Sequence, residues 1–132
     1  MNNIVIRKYN PESDEDRLLE IIEREGQDWA CYWENEHAAS YKKTLQDSIT
    51  YVATADDILC GDARSIHDHG FYIFVCDLLV TKTYRGQGIG RQLMEILAID
   101  YPNHHIYVMS DVDEYYQKLG YHREGSIFAV RK

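Results

Sequence analysis

The chain has 132 residues, with 14 Lys and Arg against 22 Asp and Glu and a formal charge of -8. That length suits one domain with a sizeable core, and that acidity argues against nucleic acid as a partner and favours a cationic substrate. No apolar run approaches the ~20 residues of a membrane helix, and Met1-Asn2-Asn3-Ile4 puts no basic region ahead of an apolar core, so a soluble cytoplasmic protein is expected.

Ile4 to Tyr9 reads as a short strand that turns polar at its end. Asn10-Pro11-Glu12-Ser13 then gives breaker and cap signals, with Asp14, Glu15 and Asp16 in the first turn of a helix whose inward face is Leu18, Leu19, Ile21 and Ile22. Gly26 is its stop. Gln27 to Ile49 reads as a second, broken helical segment carrying Trp29, Tyr32, Trp33, Tyr41 and Leu45, with Glu34 and Glu36 interleaved.

Tyr51 to Ala55 and Ile58 to Ile66 form a hairpin around Asp56-Asp57, with Gly61 marking a bulge. His67-Asp68-His69-Gly70 is a turn into the next strand. A metal is not expected there, because neighbouring residues on a strand point to opposite faces and no set of three or four ligands stands at a recognisable spacing. The same holds for His104-His105 in the loop after Pro102. Cys31, Cys60 and Cys76 are an odd number, two of them in strand-like runs, which fits reduced thiols.

Phe74-Val75-Cys76-Asp77-Leu78-Leu79-Val80 is apolar except for Asp77 and predicts a strand buried on both faces. It leads into Arg85-Gly86-Gln87-Gly88-Ile89-Gly90 and a helix whose face is Ile89, Leu93, Ile96 and Leu97, ending near Pro102. Glycines ahead of a helix let the backbone approach a ligand, and the first turn presents unpaired N–H groups beside Arg85 and Arg91, so a phosphate is the expected ligand. The spacing excludes two common phosphate loops. Counting G-x-G-x-x-G from Gly86 reaches Arg91 and from Gly88 reaches Leu93, and no Lys-Ser or Lys-Thr pair follows the glycines as a P-loop requires.

Downstream, Ile106 to Met109 predicts a strand, Asp111 to Gly120 a short helix, and Tyr121 to Gly125 with Ser126 to Arg131 a terminal hairpin. Strand, R/Q-x-x-G-x-G/A at Arg85, Gly88 and Gly90, and amphipathic helix resemble the pyrophosphate-binding motif of the GNAT superfamily, the Gcn5-related N-acetyltransferases. Tyr115-Tyr116-Gln117-Lys118-Leu119-Gly120-Tyr121 is similar to that family's FY-x-K-x-G-F signature, with Tyr115 in the Phe position and Tyr121 replacing the last Phe.

The resemblance implies an α/β (α+β) fold with a mixed, bent sheet whose central strands splay to admit acetyl-CoA. It implies main-chain contacts from Leu79 and Val80 to the pantetheine arm and thioester. The diphosphate would rest on the N–H groups of Gln87, Gly88, Ile89, Gly90 and Arg91, with charge from Arg85. Tyr116 is then the acid that protonates the leaving thiolate, or else a core tyrosine. Asp77 is the base or anchor for the amine, or else a structural carboxylate bonded to a backbone N–H or an arginine. In such a chain the aromatic and acidic residues of 27–49 either cradle an amine or pack on the sheet.

Many relatives carry an Asn before the signature helix, where this chain has Met109-Ser110-Asp111-Val112; Ser110 replaces that contact or it is absent. The expected function is transfer of an acetyl group to a primary amine, on a small molecule or a protein. A non-catalytic acyl-CoA sensor is the alternative, and Ser126 to Arg131 is a candidate homodimer edge.

Overall fold

The computed structural model describes residues 3–131. Its frame is a five-stranded sheet in the order β1 (Ile4–Lys8), β2 (Ile49–Ala55), β3 (Ile58–His67), β4 (Tyr72–Val80), β5 (His105–Val108). The first four strands are antiparallel in sequence, while β5 runs parallel to β4. A parallel neighbour needs a crossover, and α4 (Ile89–Asp100) supplies it. The result is a mixed α/β sheet flanked by helices, as the resemblance implies.

Two cores form because the sheet is apolar on both faces. Ile89, Leu93, Met94 and Leu97 of α4 bury against Ala53, Cys60, Ala63, Ile73 and Val75. On the other face, Leu18, Ile21 and Ile22 of α1 (Pro11–Arg24) and Tyr41 and Leu45 of α3 (His37–Asp47) bury against Val52, Leu59 and Leu79. Between them the chain forms a 3-10 turn at Gln27–Trp29 and the short α2 (Ala30–Trp33), so the 27–49 segment is helical and broken, as its irregular pattern predicts.

Local chemistry fixes the turns. Asn10 accepts a 3.0 Å bond from the Glu12 N–H, and Pro11 opens α1. Asp14 does more than complement the helix dipole. Its fully buried carboxylate takes paired 2.7 Å bonds from Arg7, tying α1 to β1. Asp56 and Asp57 both adopt positive φ, 50° and 69°, as a two-residue hairpin turn demands. Asp68 Oδ1 accepts from the N–H groups of Gly70, Phe71 and Tyr72, so His67 to Gly70 is a turn built on Asp68. Among the described residues no group of three or more His, Cys, Asp or Glu is placed to hold a metal, and no helix is long and apolar enough to cross a membrane. All three cysteines are free, Cys31 exposed and Cys60 buried.

Two bulges set which side chains face which core. The β2–β3 register skips Cys60, next to the expected Gly61, and the β3–β4 register skips Cys76. An unpaired residue reverses the alternation of faces. Before Cys76, Ile73 and Val75 face the α4 core; after it, Leu79 faces the α1–α3 core. The strand is therefore not buried on both faces throughout, and Phe74 is 43% exposed.

The expected terminal hairpin does not form. Residues 121–131 contain no strand, and among the described residues their only side-chain hydrogen bond beyond Tyr121 is Arg123 to Ser126. A two-stranded hairpin without an apolar face to dock on is marginal in water, and here Phe128 is 86% exposed and Val130 wholly so.

Candidate active site

The glycine-rich turn has the geometry its sequence predicts. Gly86 and Gly88 adopt φ of 80° and 79°, values that a residue with a Cβ reaches only with strain. Gly88 caps α4, and no side chain bonds to the helix's first turn, so its N–H groups are left for a ligand or water. A Cβ on Gly90 would lie 2.8 Å from the Tyr115 hydroxyl. The phenol of Tyr115 therefore stands over this turn, a placement missed in the sequence. The signal was there: a tyrosine where the family signature has phenylalanine adds a hydroxyl at that point.

The arginines are less free than their charge suggests. Arg85 donates to the Val80 carbonyl at 2.8 Å and pairs with Glu25 at 2.7 Å, stapling the turn to β4 and to the end of α1. Arg91 pairs with Glu95 at 2.6 Å, which also accepts from Tyr121. Gln87 is exposed at the crest of the turn. What the turn offers an anion is chiefly main-chain donors.

β4 and β5 separate where the resemblance requires. β5 pairs with β4 only from Tyr72 to Val75, and from Cys76 to Val80 the β5 side of the strand has no strand partner. Leu79 and Val80 remain paired with Asp62 and Gly61 of β3 on the other side. Gly61 is needed there, because a Cβ would meet the Leu79 carbonyl oxygen at 2.6 Å. The open stretch of β4 leads directly to the glycine-rich turn.

Asp77 is 3% exposed and fully engaged. Oδ1 accepts from the Tyr32 hydroxyl at 2.5 Å, and Oδ2 accepts from the Tyr41 hydroxyl at 2.7 Å and from Arg64 Nε at 2.5 Å. Of the alternatives open at the sequence level, pairing with an arginine is the arrangement found. Arg64 also lies 6.0 and 5.6 Å from the ring centres of Tyr32 and Tyr41. The aromatic cradle of the 27–49 segment thus holds the chain's own guanidinium, while Glu34 and Glu36 face solvent. Burial and the Asp77 carboxylate hold both phenols above the usual tyrosine range.

Asp62, on β3 between Val52 and Leu79, was not singled out by sequence reasoning. It is fully buried, and neither carboxylate oxygen has a protein partner. Burial first, and then the nearby Asp77 charge, push its pKa well above the carboxylate range.

Tyr116, on α5 (Asp113–Lys118), is half-buried against the α4 core. Burial, with the neighbouring Tyr115 and Asp111, raises its phenol to about 12, so it stays protonated through the neutral range. Ser110 accepts from the Val112 N–H at 3.1 Å and so shapes the entry to α5.

Comparison with other proteins gives the family and the fold. The family model described as Acetyltransferase (GNAT) domain matches residues 46–123, more than half of the chain. Over 68 residues the chain is 38% identical to GCN5-related N-acetyltransferase 2, chloroplastic, of Arabidopsis thaliana and to histone acetyltransferase TAP1 of Glycine max. Those stretches are 48% of this chain but only 26% and 29% of the relatives, so the chain spans under a third of their length. Among solved structures, the aminoglycoside N-acetyltransferase AAC(6')-Iy in complex with CoA superposes with a TM-score of 0.79 at 17% identity, over 100% of this chain and 96% of that one. A GNAT-family acetyltransferase from Streptococcus pneumoniae TIGR4 gives 0.73 at 22% identity with 100% of both chains covered.

Proposed function

The chain belongs to the GNAT acetyltransferases, and from that premise we propose that it moves the acetyl group of acetyl-CoA to a primary amine, on a small molecule or a protein. The observation that carries this reading is a juxtaposition: an uncapped helix N-terminus behind Gly86 and Gly88, next to the stretch of β4 that β5 leaves unpaired. A diphosphate suits the first and an extended pantetheine arm suits the second.

In this mechanism the N–H groups of Gln87, Gly88, Ile89, Gly90 and Arg91 hold the diphosphate, and Arg85 keeps the turn against Val80. Main-chain groups of Leu79 and Val80 hold the arm and the thioester carbonyl, whose oxygen gains charge as the amine attacks. The amine nitrogen bonds to the acetyl carbon, the C–S bond breaks, and Tyr116 gives its phenolic proton to the departing thiolate. Solvent takes one proton from the ammonium before attack and a second from the nitrogen after it, and returns one to the Tyr116 phenolate. Asp77 serves as a structural carboxylate and not as the base, because three donors already occupy its oxygens. It holds Tyr32, Tyr41 and Arg64 in place on the acceptor side.

The engagement of Asp77 also favours a second reading, an acyl-CoA sensor that binds without turning over, since a sensor needs no free base. Thiol release from acetyl-CoA with a panel of amines separates the two. The transferase reading expects release with at least one amine, and a fall of ~100-fold or more in Tyr116→Phe. CoA binding without release from any amine would leave the sensor.

A further inference from the structure

The gap between β4 and β5 closes at the pair Val75 and Val108. Just past that closure four rings stand together on one face of the sheet. Phe74 opposes Tyr107 and Tyr72 opposes His105 in the register of the two strands, with ring centres 5.9 and 5.5 Å apart. Tyr72 also lies 6.0 Å from Phe74 and 5.7 Å from Tyr107, so the four form one block. Side chains alternate along a strand, and Ile73, Val75, Ile106 and Val108 pack toward α4, so the block belongs to the opposite face. That is the face of Tyr32, Tyr41 and Asp77.

α1 and α3 bury Val52, Leu59 and Leu79 farther along this face, and they leave Tyr72 and Phe74 substantially exposed. A contiguous patch of large apolar side chains beside a cleft marks a binding surface, as a scatter of single exposed residues does not. The charges around it narrow what it binds. Asp77, the one carboxylate on β4, is spent on Tyr32, Tyr41 and Arg64. Asp68, in the turn before the strand, has Oδ1 engaged by three N–H groups. The Arg64 guanidinium at the inner end is cancelled by Asp77 and lies against the rings of Tyr32 and Tyr41. A polycation therefore finds no free carboxylate on β4, whereas a flat uncharged ring finds offset and edge-to-face partners.

We propose, building on the transfer reading, that this block seats the acceptor and that the acceptor is a primary amine carrying an aromatic ring. The ring lies against Phe74 and Tyr107, and the amine reaches the thioester along the open stretch of β4. Phe74 and Tyr107 are the specificity-determining pair, because of the four rings they stand nearest the gap.

Two measurements test it. The first follows thiol release from acetyl-CoA with phenylalkylamines that carry one to four carbons between ring and nitrogen, with n-alkylamines of matched length, and with spermidine. The expected kcat/KM for the best phenylalkylamine exceeds that for every other amine by ~10-fold or more. Phe74→Leu and Tyr107→Leu should each remove most of that advantage, through KM rather than kcat, and Tyr107→Phe, which keeps a ring, should not. The second follows the ring NMR signals of Phe74 and Tyr107 as the phenylalkylamines are added in the presence of CoA. Shifts there without thiol release from any amine would uphold the ring site and sink the transfer reading alone. Equal rates with matched alkylamines, fastest release with spermidine, or unmoved ring signals would each overturn the proposal. So would ring signals that report burial in the free protein and change on dilution, since a second copy would then hold the surface.

Discussion

Arg64 and Asp77 sit opposite one another on β3 and β4, with guanidinium Nε 2.5 Å from carboxylate Oδ2, immediately beyond the Cys76 bulge. The bulge aims Asp77 at the α1–α3 face, where Arg64 also points. Without it, Asp77 would face α4 and the pair could not form.

Because both partners are almost fully buried, removing one strands the other. Arg64→Ala should cost ~3–5 kcal/mol, read as a lower midpoint in urea unfolding. The double variant Arg64→Met with Asp77→Leu should recover most of that loss. If Arg64→Ala unfolds at the wild-type midpoint, the pair is not the tie described.

Asp62 gives a pH dependence of definite sign. Its folded pKa lies well above the ordinary value of 3.8, so the native state binds the proton more tightly than the unfolded chain. Its contribution to stability is fully present below about pH 4 and declines as pH rises toward the folded pKa, by at most ~1.4 kcal/mol per unit. Asp62→Asn cannot ionise. The variant's melting temperature relative to wild type should therefore rise between pH 5 and pH 8; a constant difference would contradict a raised folded pKa for Asp62.

Gly61 tests the close approach of β3 to the open end of β4. Gly61→Ala places a methyl group 2.6 Å from the Leu79 carbonyl oxygen, and the backbone must move. Overpacking of this kind costs ~1–3 kcal/mol, and the displacement falls on the main chain proposed to hold the thioester. Thermal unfolding and thiol-release rates should both fall, whereas the transfer account would not expect loss of stability with full activity.

Much of this was legible in the sequence. Strand, glycine turn and helix follow from apolar spacing and Gly86 and Gly88, and the Asp56-Asp57 hairpin from turn chemistry. The family motifs supplied the placement of β5 and α5. Local pattern could not reveal the Cys76 bulge, which depends on registry with β3, and hence could not tell which face Asp77 takes. Asp62 looked like an ordinary polar residue in a strand because its burial is created by α1 and α3, distant in sequence. The Ser126 to Arg131 alternation reads as a strand but none forms there, because a strand needs a partner and the described residues supply none.

Calorimetric titration with coenzyme A, on wild type and Gly88→Glu, bears most directly on the central claim that the turn before α4 grips a diphosphate through its main-chain donors. The account predicts measurable binding heat for wild type and none for Gly88→Glu, whose carboxylate enters the anion's place, with the far-UV spectrum unchanged. No heat with wild type, or equal heat with both, would contradict it.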